Sequence, residues 1–162
     1  MAISQINSSS LASGVPASAN MPAGSVLQVI QGTYTTNDST SSTAYVASGL
    51  TASITPRSAT SKILVSVNTN GYCPAANLQM NMTIYRDATN LVAQGQGNLY
   101  SAGSSTQAPW SLLYLDSPAT TSSITYTPYF KNTGNAGGLI YFNIPHAGGQ
   151  PTATIVLMEI AG

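Results

Sequence analysis

The sequence predicts an all-β fold: an antiparallel β-sandwich, jelly-roll in its connections, behind an extended N-terminal arm. Three observations predict it. Short runs alternate apolar and polar residues with period two, the signature of half-buried strands. Clusters of Gly, Pro, Ser, Thr and Asn separate those runs at short intervals. No stretch of residues 25–162 carries the 3.6-residue apolar period of a helix. The 162 residues suit one domain, large enough to bury a core without disulfides or a structural metal.

The central strand is expected at Ser61–Tyr72, where Ile63, Val65 and Val67 alternate with Lys62, Leu64 and Ser66. Pro56–Thr60 precedes it as a turn, and Gly71 and Pro74 close it. Residues 1–24 differ from the rest. They are rich in Ser and Ala, carry no charge, and space their apolar residues at Ile3, Ile6, Leu11, Val15 and Met21. Such a segment reads either as a disordered leader or as an arm that docks these anchors and orders on a partner. The domain proper is expected over 25–162.

Strands follow at Ser25–Tyr34, Thr43–Ala47 and Leu50–Thr55, the last ended by Pro56, which has no N–H for a ladder. Leu78–Tyr85 alternates Leu78, Met80, Met82 and Ile84 against polar neighbours, and the turn Arg86–Asn90 leads to a return strand at Leu91–Gln94. Gly95–Gln107 reads as a long polar loop holding Tyr100. Further strands are expected at Pro109–Asp116, Ile124–Lys131, Leu139–Asn143 and Thr152–Ile160. The first and last strands are apolar on both faces. That pattern places a strand mid-sandwich or against a neighbouring subunit, with Val26, Val29, Val156, Met158 and Ile160 as the interface residues.

Composition narrows the partners. Charged residues make up 5% of the chain, against about 25% in an ordinary domain. Four Lys and Arg balance four acids, so no basic stripe is available for phosphate and nucleic acid is not an expected partner. Near-zero net charge favours association. Cys73 is the single cysteine, so the chain holds no internal disulfide. No run reaches the ~18 apolar residues of a membrane helix, and the N-terminus lacks the charged and apolar regions of a signal peptide.

Catalytic chemistry finds little support. His146, the single histidine, sits in a Gly/Pro loop, and no G-x-S-x-G frames a nucleophile. One His and one Cys are too few for zinc, and Asp38 in T-N-D-S-T reads as turn chemistry before calcium. Asp87, Asp116 and Glu159 are the remaining carboxylates. Asp87 is expected to cap its own turn, and Glu159 to pair with a Lys or Arg. Of nine tyrosines, those within strands read as sandwich residues with a wet hydroxyl, and Tyr100 as an exposed contact. Neither catalytic residue, metal nor cofactor is expected.

Five runs carry a family resemblance: P-A-G-S-V-L-Q-V (Pro22–Val29), T-A-S-I-T-P-R-S-A-T-S-K-I-L-V (Thr51–Val65), I-Y-R-D (Ile84–Asp87), L-D-S-P-A-T-T-S-S-I-T-Y (Leu115–Tyr126) and I-V-L-M-E-I (Ile155–Ile160). In this order, over about residues 22–162, they resemble small tail-fibre or virion structural proteins of tailed phages, especially phages of marine bacteria and cyanobacteria. Cys73 and the Met80/Met82 pair depart from that pattern. The resemblance implies a β-sandwich virion protein, assembled in the host cytoplasm, usually a homotrimer, without enzyme activity. Two roles fit it. In one, the chain is a capsid decoration or cement protein whose arm anchors on the major capsid protein. In the other, it is a tail-fibre or head-fibre module whose loops touch host-surface glycan.

Overall fold

The alternation at Ile63, Val65 and Val67 becomes the inner face of the longest strand. In the computed structural model, which describes residues 21–95, 98–145, 149 and 152–162, that strand is β5 (Lys62–Cys73). The others are β1 (Val26–Tyr34), β2 (Asp38–Thr40), β3 (Val46–Ala47), β4 (Ala52–Ile54), β6 (Leu78–Arg86), β7 (Thr89–Asn90), β8 (Asn98–Ser101), β9 (Thr106–Asp116), β10 (Ile124–Asn132), β11 (Ile140–Phe142) and β12 (Ala153–Ile160). Every pairing is antiparallel, and no helix occurs among the described residues.

The register reduces these strands to a simpler scheme. β9 fills one edge of β5, from Ile63↔Asp116 to Cys73↔Thr106. β12 and β11 share the other edge, at Lys62–Asn68 and Gly71–Tyr72. β1 then pairs β12 and β2 pairs β11, so each couple acts as one interrupted strand. In the second sheet β3 and β4 share one edge of β10, β6 takes the other, and β7 and β8 share the far edge of β6. Numbered along the chain, with β1/β2 first and β11/β12 eighth, the first sheet runs 1-8-3-6 and the second 2-7-4-5. This alternation between two four-strand sheets is the jelly roll, a fold that viral coats share with lectins and cupins.

Pro128 lies in β10, a strand paired on both edges, where proline is normally excluded. Ser48 donates both its N–H and its hydroxyl to the Pro128 carbonyl, at 2.9 and 2.8 Å. A strand residue directs N–H and C=O to the same side. The missing donor therefore faces the interruption between β3 and β4, where no ladder acceptor waits for it. Pro109 occupies β9, which is paired only with β5, the edge position where proline is tolerated.

Several expectations change. T-N-D-S-T contributes strand β2, because Asp38 accepts from the Tyr34 hydroxyl and the Gly49 N–H and so fixes the chain beside β11. The return strand of the hairpin is Thr89–Asn90, not Leu91–Gln94: Asp87, at φ 49°, closes a two-residue turn. Its carboxylate accepts from Thr125 N–H rather than capping its own backbone. Part of the expected loop Gly95–Gln107 is strand β8, and Tyr100 belongs to that strand.

The core lies between the inner faces. Ile63, Val65 and Val67 of β5 meet Met80, Met82 and Ile84 of β6, Tyr126 and Phe130 of β10, and Ile155 and Leu157 of β12, all essentially without solvent contact. Phe130 and Phe142 stack across the sheets at 5.6 Å. Cys73 is buried here, and burial raises its thiol pKa. One ionic contact also crosses the sandwich. Asp116 of the first sheet takes both oxygens to Arg86 Nη1, at 2.8 and 3.0 Å, and accepts from Tyr126 Oη at 2.7 Å. Burial, then the neighbouring Asp116 carboxylate, push the Tyr126 hydroxyl far above its ordinary pKa, so it stays a donor.

Asp116→Ala orphans the Arg86 guanidinium and the Tyr126 hydroxyl together. Breaking a buried pair costs about 3–5 kcal/mol, and the 23% exposure of the Arg86 side chain places this case at the low end. Urea denaturation is expected to show a loss of about 3 kcal/mol, largely recovered in Arg86→Met/Asp116→Leu/Tyr126→Phe, which removes all three polar partners.

Candidate interaction surfaces

Inner-face alternation fixes which residues point outward. On the first sheet these include Val29, Gln31 and Thr33 of β1, then Thr154, Val156, Met158 and Ile160 of β12. Lys62, Leu64, Ser66 and Asn68 of β5 and Ser111, Leu113 and Leu115 of β9 continue the face. Val29 pairs Met158, Met158 pairs Leu64, and Leu64 pairs Leu115. An unbroken apolar row therefore crosses all four strands. The adjacent row carries Val156 and Leu113, and the row beyond Val29 begins at Val26, opposite Ile160. Val26, Val29, Leu113 and Leu115 keep 51%, 55%, 64% and 50% of their surface in solvent. At ~4.8 Å between strands and ~7 Å between rows, the three rows span roughly 400 Å², with Gln31, Ser66 and Lys62 as polar positions among the apolar ones. The largest apolar patch on a typical monomer is of this size and is often functional.

The outer face of the second sheet differs, because its groups satisfy one another. Tyr85 and Tyr129 stack at 3.9 Å, Tyr45 meets Tyr85 edge-on, and Lys131 Nζ lies 4.3 Å over the Tyr45 ring. The Tyr45 hydroxyl bonds Asn81 Oδ1, and Thr83 donates to Asn90 Oδ1 and Val92 O. Val92–Gly95 thus closes over the sheet.

The apolar end of the first sheet is also where the chain enters. Gly24 donates to Ala161 O and Ala161 to Ser25 O, tying the entry to the end of β12. Met21, Leu27, Arg57, Thr60 and Gly162 line a cavity of about 330 Å³ there. Beneath it Glu159 is fully buried. The expected Lys or Arg partner is not what holds it: Gln28 Nε2 donates to Oε2 at 2.6 Å and the Arg57 N–H to Oε1 at 2.7 Å. Burial alone would raise this carboxyl's pKa. The nearby Ser61 hydroxyl, the Gln28 amide and the N–H groups of Arg57 and Ser58 outweigh burial and hold it below the ordinary carboxylate value.

At the opposite end the eighth strand leaves the sheet. β12 parts from β5 at Asn68 and β11 rejoins it at Gly71. The gap opens a cleft of about 440 Å³ lined by Asn68, Asn70, Gln107, Pro109 and Thr152. Ser111 donates to Asn68 Oδ1, Ile144 N–H to Asn70 Oδ1, and Gln107 Nε2 to Ile144 O. Next along the same face, Tyr72 lies opposite both Gln107 and Tyr141, with the two rings 5.9 Å apart.

Of the residues singled out by sequence, Val29, Val156, Met158 and Ile160 converge on one face, with exposed Val26 at its margin. Leu64 and Leu115 complete the row, Leu113 joins the adjacent one, and all three went unrecognised. The run L-L-Y-L, apolar on both faces, held the signal. Met21 packs on its own domain, while Ile3, Ile6, Leu11, Val15 and His146 lie outside the described residues. Tyr100 is 51% exposed and donates to Asn77 Oδ1. All four carboxylates accept internal hydrogen bonds: Asp38, Asp87, Asp116 and Glu159. No three His, Cys, Asp or Glu side chains converge among the described residues.

No family model and no curated protein matches the chain. Among solved structures it is similar to the Gx strain of infectious bursal disease virus, with TM-score 0.42 and 12% identity over 83% of this chain and 37% of that one. It is also similar to T=1 particles derived from that virus, with TM-score 0.43 and 18% identity over 85% and 37%. The D431N mutant of the viral VP2 protein gives TM-score 0.43 and 18% identity over 83% and 36%. The chain spans little more than a third of the length of these proteins.

The Glu159 cluster sets a pH dependence. A carboxyl whose pKa is lower folded than unfolded contributes stability that is present above its unfolded value and lost as pH falls through the folded one. Stability measured by urea between about pH 6 and pH 3 is therefore expected to fall. Glu159→Gln is expected to flatten that fall while lowering stability at neutral pH.

Proposed function

We propose that the chain is a non-catalytic structural subunit of a phage virion, a capsid decoration protein that associates with copies of itself through the outer face of the first sheet. The observation that carries this reading is the row Val29–Met158–Leu64–Leu115, open to solvent on a molecule with almost no surface charge. The resemblance of residues 22–162 to phage structural proteins supplies the setting and the expected number of copies, three. The jelly roll agrees with it, although the fold alone does not specify a coat role.

Magnitudes assign the arm its part. A stable interface buries about 800 Å² per partner, roughly twice the apolar patch. The chain before Met21 is uncharged, carries Ile3, Ile6, Leu11 and Val15, and joins the domain beside the patch. In this reading its apolar residues widen the contact between copies and continue onto the major capsid protein. Three arms on one assembly raise the effective concentration of each and convert weak single contacts into stable attachment.

Copy number in purified virions tests the placement. Mass spectrometry is expected to find this chain at a ratio to the major capsid protein approaching that of a lattice component. A ratio of a few per cent would contradict decoration and point to a fibre. Absence from virions would contradict a structural role altogether.

A further inference from the structure

The far-end cleft is a different surface from the apolar patch, and its chemistry is different. Among the described residues its lining contains no charged side chain. Asn68 and Asn70 each commit the amide oxygen to an internal bond, from Ser111 and from the Ile144 N–H. Their Nδ2 groups have no partner among the described residues. Two oriented NH2 donors are thus held in place before any ligand arrives, which lowers the ordering cost of binding. The volume of about 440 Å³ lies within the range of small-ligand sites.

Beside these donors the face turns aromatic. Tyr72 is two residues beyond Asn70 on the same side of β5, opposite Gln107, and Tyr141 flanks it. Both rings are half-buried. A surface that joins fixed amide donors to a ring face, without charge, matches one ligand chemistry. A hexose presents hydroxyls to amides along its edge and a C–H face to an aromatic ring. A phosphate or carboxylate would find no cation among the described residues of the lining, and an apolar ligand would strand the amides.

We propose that this cleft, between Asn68, Asn70 and Gln107 and bordered by Tyr72, is a binding site for neutral polysaccharide. Along β5 its lining begins at Asn68, about 7 Å from Ser66 in the Val156–Leu113 row, and reaches Asn70 at about 13 Å, two and four residues at ~3.3 Å each. The proposal does not depend on where in a virion the chain sits.

The test is titration of the isotope-labelled full chain with glucose, galactose, mannose and N-acetylglucosamine hexasaccharides, followed by NMR. At least one is expected to shift the side-chain amide signals of Asn68 and Asn70 saturably. Asn68→Ala, at an exposed position, preserves the fold and is expected to weaken binding roughly three- to tenfold, the loss of one uncharged hydrogen bond. Tyr72→Ala is expected to weaken it further, and Tyr100→Ala to leave it unchanged. No saturable binding by any of the four up to about 10 mM, where even weak sites fill, would overturn the proposal. So would binding undiminished in Asn68→Ala, or shifts confined to Tyr45, Tyr85 and Tyr129 on the other sheet.

Discussion

The two-sided ladder along β5 is the interaction from which the other elements take their places. Its twelve residues pair β9 over nearly their whole length on one edge and β12, then β11, on the other. Antiparallel pairing at that length fixes register residue by residue, because a slip of one would turn Ile63, Val65 and Val67 to solvent. Once the inner face is set, so is the outer one. Leu64 must look outward between Met158 and Leu115, and the apolar row follows from the same alternation that builds the core.

The two sheets resolve their outer faces in opposite ways. The second covers itself with a tyrosine cluster, Lys131 and the Val92–Gly95 segment. The first leaves leucine and valine in water at one end and an amide-lined cleft at the other. The Arg86–Asp116–Tyr126 contact ties the two sheets together, and the buried Glu159 ties β12 to Gln28 of β1 and to the Arg57 N–H.

Much of the fold was legible in the sequence, for a physical reason. Strands with one buried face, such as Leu78–Arg86, must alternate, and turns need Gly, Pro or Asx at particular conformations. The strands that escaped are short and polar. β2, β7 and β8 owe their place to a neighbour: Asp38 to Tyr34 and Gly49, Thr89 to Arg86, Tyr100 to Gln79. Pro128 fits a doubly paired strand because its missing N–H faces the break between β3 and β4. Val26, Val29, Val156, Met158 and Ile160 were readable because apolar residues occupied both faces of their strands. Leu64 was not, since Lys62 and Ser66 beside it mimic an ordinary solvated face. The cleft was invisible in the same way, because it depends on the eighth strand leaving β5 between Asn68 and Gly71.

The central claim is that the apolar row is a contact between copies of this chain. Light scattering at micromolar concentration tests it most directly, on the wild-type chain and on Leu113→Asn/Leu115→Asn, whose substituted side chains lie outside the core. The account predicts a wild-type mass corresponding to three chains of 16.6 kDa and a folded monomer for the variant. A monomeric wild type, or a variant that assembles as the wild type does, would contradict it.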